Sequence, residues 1–137
     1  MTSQNDPNQP SQPSQPSDPG RPGARAPRPE IPEMTATELK DRLDHEQPLA
    51  LVDVRDPHER EIADLPEVDQ HRIPVGEFLD RIEELDPDQP VVLYCRSGAR
   101  SLWAARHLAE RGFEQVWNLK GGVLAWRDEV DPTLQAY

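Results

Sequence analysis

The run Val91–Tyr94 places four apolar residues in succession, and this feature most limits how the chain can fold. A strand with one face in water alternates apolar and polar residues, whereas a strand covered on both faces reads as a continuous apolar run. The run Leu49–Val54 has a similar character. Helical patterns lie between and after these runs. Strands that alternate with helices predict an α/β fold whose mostly parallel sheet is flanked by helices on both faces.

Caps, chain breakers and apolar spacing divide the rest of the chain into alternating elements. Thr35 and Glu38 fit a helix capping box, and Ser101 is predicted as the N-cap of a later helix. The predicted strands are Leu49–Val54, Ile73–Val75, Val91–Tyr94 and Gln115–Leu119. The predicted helices run from Thr35 to about Leu43, from His58 to Ile62, from Gly76 to about Leu85, from Ser101 to Arg111 and from Val123 to Val130.

Cys95, the only cysteine of the chain, ends the Val91–Tyr94 strand. A polar loop follows and leads into a predicted helix, so loop N–H groups and the positive end of the helix dipole can converge on the sulfur. Such surroundings lower the pKa of a thiol and make it a usable nucleophile. A cysteine in this position can also be a small core residue. Because parallel sheets bind ligands at the carboxyl ends of their strands, we predict Cys95 as the catalytic residue.

We expect the loop after Cys95 to bind an anion, because Arg96 and Arg100 add full positive charge to its amides. The predicted substrate-binding residues are Arg96, Ser97, Gly98, Ala99, Arg100 and Ser101. The four histidines, His45, His58, His71 and His107, share no ligand spacing with one another or with Cys95. No metal site is therefore predicted.

Residues 1–33 differ in composition from the rest of the chain. They hold nine of the 16 prolines and many Gln, Ser and Asn residues. Such a segment buries too little apolar surface to offset its conformational entropy, so we predict a disordered tail over residues 1–33 and one domain over residues 34–137.

The net charge of −11 argues against nucleic acid as a partner, since phosphate binding needs a basic surface, while it permits a basic protein partner. A single cysteine forms no intrachain disulfide, and the sequence begins with no signal-peptide pattern. No apolar stretch approaches the ~20 residues that cross a membrane. A cytoplasmic location is therefore expected.

Several motifs taken together resemble a single rhodanese domain. They are Asp53-Val54-Arg55, Glu59, Ile73-Pro74, the loop Cys95–Ser101 and the stretch Asn118–Trp126, and the match covers residues 34–137. The ending Val130–Tyr137 further resembles rhodanese domains that follow adenylyltransferases supplying sulfur for molybdopterin, thiamine or thiolated transfer RNA. The stretch Glu67–Arg72 departs from the family, in which a Gly-Ala pair usually precedes Ile-Pro.

The resemblance implies a three-layer fold around a five-stranded sheet and a sulfurtransferase activity without a cofactor. Cys95 would take sulfur from thiosulfate or a related donor, form a persulfide and pass the sulfur to a thiol, cyanide or an acceptor protein. Asp53 and Arg55 would support the site rather than react.

Two other functions remain open at this point. A phosphatase or arsenate reductase of the same fold would also use a thiolate and an arginine, but such relatives have a Cys-x5-Arg loop, whereas Cys95 and Arg100 form Cys-x4-Arg. The shorter loop favours a sulfur atom over a tetrahedral phosphate. A module that docks a partner or carries a persulfide in a sulfur relay is the other alternative.

Overall fold

The computed structural model describes residues 30–66, Val68 and residues 70–137. Its strands are β1 (Glu33–Met34), β2 (Ala50–Asp53), β3 (Gln70–Arg72), β4 (Val91–Tyr94) and β5 (Val116–Leu119). Its α-helices are α1 (Ala36–Asp44), α2 (Phe78–Arg81), α3 (Ala99–Glu110) and α4 (Gly122–Glu129). All strand pairs are parallel and the order across the sheet is β1-β5-β4-β2-β3. The predicted α/β fold with a five-stranded parallel sheet is confirmed.

Two separate apolar clusters cover the two faces of the sheet. β4 shows the division, because Val91 and Leu93 join the cluster formed with α2 and α3, whereas Val92 and Tyr94 join the cluster formed with α1 and α4. All four β4 residues are fully buried. The continuous apolar run is thus a central strand with both faces covered, and the residue after it emerges at the carboxyl edge of the sheet.

The prediction of a strand at Ile73–Val75 is wrong, because the strand in this region, β3, lies three residues earlier and comprises Gln70–Arg72. β3 lies at the edge of the sheet and pairs only with β2. An edge strand needs no apolar run, so its polar residues gave no signal in the sequence. Ile73 lies just beyond β3, where its N–H donates to the Asp53 carbonyl at 2.9 Å.

Two helix boundaries also differ from the predictions. α3 begins at Ala99 with Gly98 as its N-cap, so Ser101, predicted as the cap, lies inside the first turn. Its hydroxyl turns inward to buried partners instead of capping the helix. The predicted helix from Gly76 to about Leu85 is α only over Phe78–Arg81, with a 3₁₀ turn on each side. The capping box of Thr35 and Glu38 is present.

The described part of the chain begins inside the segment predicted as a tail. Glu33 pairs with β5 in β1, the Pro32 carbonyl accepts the Asn118 N–H at 3.0 Å, and Ile31 packs against the core. These three residues therefore contact the domain. A two-residue edge strand carries no periodicity that a sequence could reveal. The predicted disorder of residues 1–29 lies outside the described residues.

Among the described residues, no helix combines the length and the apolar character that crossing a bilayer requires.

Candidate active site

Cys95 follows the last residue of β4, and its side chain is almost fully enclosed, with the residue only 1% exposed. The chain then turns through Arg96–Gly98 before α3 begins. This turn brings the Gly98 N–H to 3.1 Å from the Cys95 sulfur. The Ser101 hydroxyl approaches the same sulfur at 3.4 Å. The loop therefore surrounds the sulfur with hydrogen-bond donors, while binding of an anion by this loop stays a prediction.

The surroundings of Cys95 act on its pKa in opposite directions. Burial disfavours the thiolate and raises the pKa. Hydrogen bonds from the Ser101 hydroxyl and from the backbone N–H groups of Ser101, Gly98 and Ser97 stabilise the thiolate and outweigh burial, so the pKa lies below its ordinary value. A lowered pKa in a polar loop at a helix N-terminus is the setting of a nucleophilic cysteine.

The start of α4 holds this loop in shape. The Val123 N–H donates to the Cys95 carbonyl at 3.0 Å, and the Leu124 N–H donates to the Arg96 carbonyl at 3.2 Å. These carbonyls therefore point toward α4, and the amides on the opposite side of the same peptide planes point away from it. The free N–H groups of a helix start can bind an anion, but here they donate to the backbone of the loop after Cys95.

Gly122 makes the contact between α4 and the loop possible. A Cβ at this position would lie 2.4 Å from the Cys95 carbonyl oxygen and 2.5 Å from that of Arg96. Its φ of +61° is also a conformation that residues with side chains rarely adopt. Only glycine lets the two backbones approach this closely.

Asn118, near the end of β5, links the loop to the sheet. Its side-chain oxygen accepts the Ser101 hydroxyl at 2.6 Å, and its amide nitrogen donates to the Gly98 carbonyl at 3.1 Å. Asn118 is 3% exposed, so a buried polar side chain satisfies its hydrogen bonds by positioning two residues around the sulfur.

Arg100, in the first turn of α3, is held by Glu59. Its two terminal nitrogens donate to the two carboxylate oxygens of Glu59 at 2.7 and 2.9 Å. The hydrogen bond from Arg100 lowers the pKa of Glu59 to about 2, although burial opposes this shift. The ion pair fixes the position of the Arg100 charge near Cys95, and three of its five N–H groups have no partner among the described residues.

Arg96 lies on the exposed side of the loop and meets Tyr137. Its guanidinium carbon is 5.5 Å from the centre of the Tyr137 ring, and its Nε donates to the Tyr137 carbonyl. Among the described residues, no hydrogen-bond partner meets its two terminal nitrogens. Arg96 therefore keeps both of its terminal nitrogens for an anion, whereas each terminal nitrogen of Arg100 already donates one hydrogen bond to Glu59.

Asp53 and Arg55 form a buried ion pair at the end of β2. The Arg55 Nε donates to Asp53 at 2.9 Å, and the Arg55 side chain has no exposed surface. Arg72 donates to the other Asp53 oxygen at 2.8 Å and to Asp64 at 2.8 Å. Among the described residues, neither Asp53 nor Arg55 forms a hydrogen bond with Cys95, and their predicted supporting role stays a prediction.

The remaining loop residues, Ser97 and Ala99, are exposed, and Ser97 acts on the sulfur through its N–H. Sequence reasoning gave no site role to four residues that the structure brings to the loop: Glu59, Asn118, Gly122 and Tyr137. Asn118 carried a usable signal, as a polar residue within an apolar strand. Glu59 and Tyr137 belong to stretches that carry the family resemblance, but they lie far from Cys95 along the chain, and no local pattern indicates that they reach the loop. No group of three potential metal ligands occurs among the residues that the structure describes.

Comparison with known proteins agrees with this geometry. The family model of the rhodanese-like domain matches residues 35–129. A sulfurtransferase of Allochromatium vinosum is 39% identical over 97 residues, covering 69% of this chain and 86% of the relative. A thiosulfate sulfurtransferase of Pseudomonas syringae is 40% identical over 85 residues, covering 60% of this chain and 76% of the relative. The crystal structure of a rhodanese-like domain protein from Staphylococcus aureus superposes with a TM-score of 0.65 at 26% identity, covering 78% of this chain and 99% of that one.

Proposed function

The chain belongs to the rhodanese-like family, and on that premise we propose that it moves sulfane sulfur from thiosulfate to an acceptor through a persulfide on Cys95. The observation that carries this proposal is the setting of the Cys95 sulfur, which faces the Gly98 N–H at 3.1 Å and the Ser101 hydroxyl at 3.4 Å. These donors stabilise the negative charge of the Cys95 thiolate, which is the form that attacks the sulfur donor.

In the first step the Cys95 thiolate attacks the outer sulfur of thiosulfate. The bond between the two thiosulfate sulfurs breaks, and its electron pair leaves with sulfite. Cys95 then carries a persulfide whose terminal sulfur is negative and lies among the loop amides. In the second step a thiolate, cyanide or an acceptor protein takes the terminal sulfur, and the Cys95 thiolate is the leaving group. Two half-reactions through a covalent intermediate give ping-pong kinetics.

The loop residues divide this work. We assign Arg96, Ser97, Gly98, Ala99, Arg100 and Ser101 to binding of the donor anion. Arg96 offers terminal donors, and Arg100 adds charge beside the sulfur while Glu59 holds it in place. Asp53 and Arg55 support the loop from behind without taking part in bond making.

The size of the loop supports sulfur transfer over phosphate chemistry. Four residues separate Cys95 from Arg100, one fewer than in phosphatases and arsenate reductases of this fold. With the Gly98 N–H already in contact with the sulfur, the loop suits one additional sulfur atom better than a tetrahedral phosphate.

We assign the activity to the domain predicted over residues 34–137, to which residues 31–33 also attach through β1 and its neighbours. We place it in the cytoplasm, where a lone cysteine stays reduced and available as a nucleophile. A protein acceptor is included because the relatives of this family are sulfurtransferases and the site opens beside an exposed loop.

Intact-protein mass spectrometry after brief exposure to thiosulfate tests the proposal. The wild-type protein should gain about 32 Da, the mass of one sulfur atom in a covalent cysteine intermediate. Cys95→Ser should gain nothing, and addition of cyanide should return the wild-type mass to its starting value. A wild-type protein that remains unmodified by thiosulfate would refute transfer from this donor.

A further inference from the structure

The segment Val130–Tyr137, here called the return segment, follows α4 and folds back toward the active-site loop. Its first residues stay tied to α4, because the Val130 and Asp131 N–H groups both donate to the Trp126 carbonyl, at 2.8 and 2.9 Å. Farther along, the Leu134 carbonyl accepts the Arg127 Nε at 2.8 Å. The segment is therefore attached at two points before it reaches Tyr137.

Tyr137 contacts Arg96 on one side and the Arg55 and Glu59 side chains on the other. On one side its ring and carbonyl meet the Arg96 guanidinium. On the other side its hydroxyl accepts the Arg55 Nη1 at 2.9 Å and donates to the Glu59 Oε1 at 3.1 Å. Glu59 is the carboxylate that holds Arg100. One side chain thus touches Arg96 directly and reaches Arg100 through Glu59.

The contact with Arg96 limits where this exposed side chain can go. A loop arginine in water samples many rotamers, and its charge is then spread over a wide volume. Stacking on an aromatic ring together with a hydrogen bond through Nε restricts it to one region while leaving its terminal nitrogens without partners among the described residues. The hydroxyl contacts with Arg55 and Glu59 prevent the ring itself from moving.

We propose that Tyr137 is a positioning residue for the donor anion: it holds Arg96 beside the active-site loop with its terminal nitrogens available, and it braces the Glu59–Arg100 pair. This inference rests on the proposed sulfur transfer and assigns recognition of the anionic donor to a residue outside the loop. Tyr137 does not act on the sulfur itself, since no hydrogen bond joins it to Cys95.

This division of work separates binding from chemistry. The hydrogen bonds that stabilise the thiolate come from the loop and from α3, and none comes from Tyr137. Loss of Tyr137 should therefore weaken attraction of an anion and leave the nucleophile intact. A residue that only stabilised the fold would not produce this separation.

The test compares Tyr137→Ala, Tyr137→Phe and the matched control Gln135→Ala. Gln135 is an exposed residue of the same segment without a side-chain contact in the described structure. For each protein, the rate of Cys95 alkylation is measured with anionic iodoacetate and with neutral iodoacetamide. The ratio of the two rates reports the positive potential beside the sulfur, where the carboxylate of iodoacetate lies during the reaction, whether or not the protein transfers sulfur. Steady-state kinetics with thiosulfate and cyanide supply KM and kcat.

For Tyr137→Ala we expect the iodoacetate-to-iodoacetamide ratio to fall about threefold to tenfold, the effect of moving one charge away from a partly exposed site. KM for thiosulfate should rise by a similar factor with little change in kcat. The pH midpoint of iodoacetamide alkylation should rise by less than it does for loss of a hydrogen bond to the sulfur, because Arg96 donates none. Tyr137→Phe keeps the ring beside Arg96 and should show an intermediate loss. Gln135→Ala should match wild type.

A double-mutant cycle with Arg96→Gln decides whether Tyr137 acts through this arginine. If it does, Tyr137→Ala added to Arg96→Gln lowers the ratio by much less than it does in wild type. The proposal is overturned if Tyr137→Ala behaves like Gln135→Ala, or if its effect on the ratio is the same with and without Arg96. Should wild type take no sulfur from thiosulfate, the proposed function fails while the alkylation ratios still decide the role of Tyr137.

Discussion

Glu59 accepts hydrogen bonds from both terminal nitrogens of Arg100, at 2.7 and 2.9 Å, and so joins the turn after β2 to the first turn of α3. The side chain of Glu59 is 8% exposed, whereas that of Arg100 is 32% exposed. A buried carboxylate is thereby neutralised by an arginine that still reaches the surface of the loop. The ion pair keeps the Arg100 charge near Cys95 without requiring Arg100 to touch the sulfur.

This pairing makes stability depend on pH. The pKa of Glu59 is lowered to about 2, so the unfolded chain binds a proton at higher pH than the folded protein does. The stabilisation is complete above the ordinary pKa of a glutamate and is lost as the pH falls from about 5 toward 2. It amounts to about 3 kcal/mol at most.

We expect Glu59→Gln to lower the free energy of unfolding at pH 7 and to flatten its decline between about pH 5 and pH 2. Urea unfolding at a series of pH values measures both effects. Glu114→Gln, at an exposed glutamate, is the control and should follow the wild-type curve. Parallel curves for wild type and Glu59→Gln would contradict the assignment.

Ser101 is predicted to tune the nucleophile. Its single hydroxyl proton is shared between the Asn118 side-chain oxygen, at 2.6 Å, and the Cys95 sulfur, at 3.4 Å. Ser101→Ala removes a hydrogen bond to the thiolate, so the pKa of Cys95 should rise. The pH dependence of alkylation by iodoacetamide measures this pKa.

Ser97→Ala is the matched control, because Ser97 acts on the sulfur through its backbone N–H, which alanine retains. Its alkylation curve should coincide with that of wild type. An unchanged midpoint for Ser101→Ala would mean that the loop amides alone set the thiol pKa.

Gly122→Ala tests the close approach of α4 to the loop. The new methyl group would meet two backbone carbonyl oxygens at 2.4 and 2.5 Å, so the loop or the helix has to shift. We expect a loss of about 2–4 kcal/mol in the free energy of unfolding and a large loss of sulfur transfer.

Gly112→Ala separates the steric effect from backbone strain. Gly112 also has a positive φ, +94°, but no atom lies within 4 Å of its added Cβ. Gly112→Ala should lower the free energy of unfolding by only about 1–2 kcal/mol, because the backbone conformation is its one source of strain, and sulfur transfer should persist. Equal losses in the two variants would show that contact with the loop contributes nothing.

Arg55→Met is predicted to cost about 3–5 kcal/mol, because it leaves Asp53 buried with Arg72 as its remaining cation. Arg81→Met is the comparison. Arg81 also pairs with two carboxylates, Glu77 and Glu84, but all three side chains are substantially exposed, so its loss should cost less than about 1 kcal/mol. Denaturant midpoints of both variants test the contrast, and similar losses would refute it.

The sequence predicted the centre of this fold better than its edges. β4 is buried on both faces, and its apolar run could be read directly. β1 and β3 lie at the sheet edges, where two or three residues with a single partner strand need no apolar pattern. Their positions depend on pairing with distant strands, which no local signal records.

The same division holds for the site. Cys95 and its loop are contiguous, so spacing and residue type were sufficient to predict an anion-binding loop. Glu59 precedes that loop in the sequence and Tyr137 follows it. No residue near either of them indicates which charged side chain it contacts. The prediction for Ser101 was wrong for a different reason. A serine near the start of a helix can cap the helix or can turn inward to a buried partner, and the sequence does not distinguish the two.

The hydrogen bonds from Val123 and Leu124 to the carbonyls of Cys95 and Arg96 have a consequence for the chain during its synthesis. When β4 and α3 have just left the ribosome, the α4 residues that bind these carbonyls are still inside the exit tunnel. The groups that lower the Cys95 pKa belong to the loop and to α3, but α4 holds the carbonyls that set the shape of that loop. We therefore expect a chain that ends before α4 to have a less ordered loop and a Cys95 pKa closer to its ordinary value.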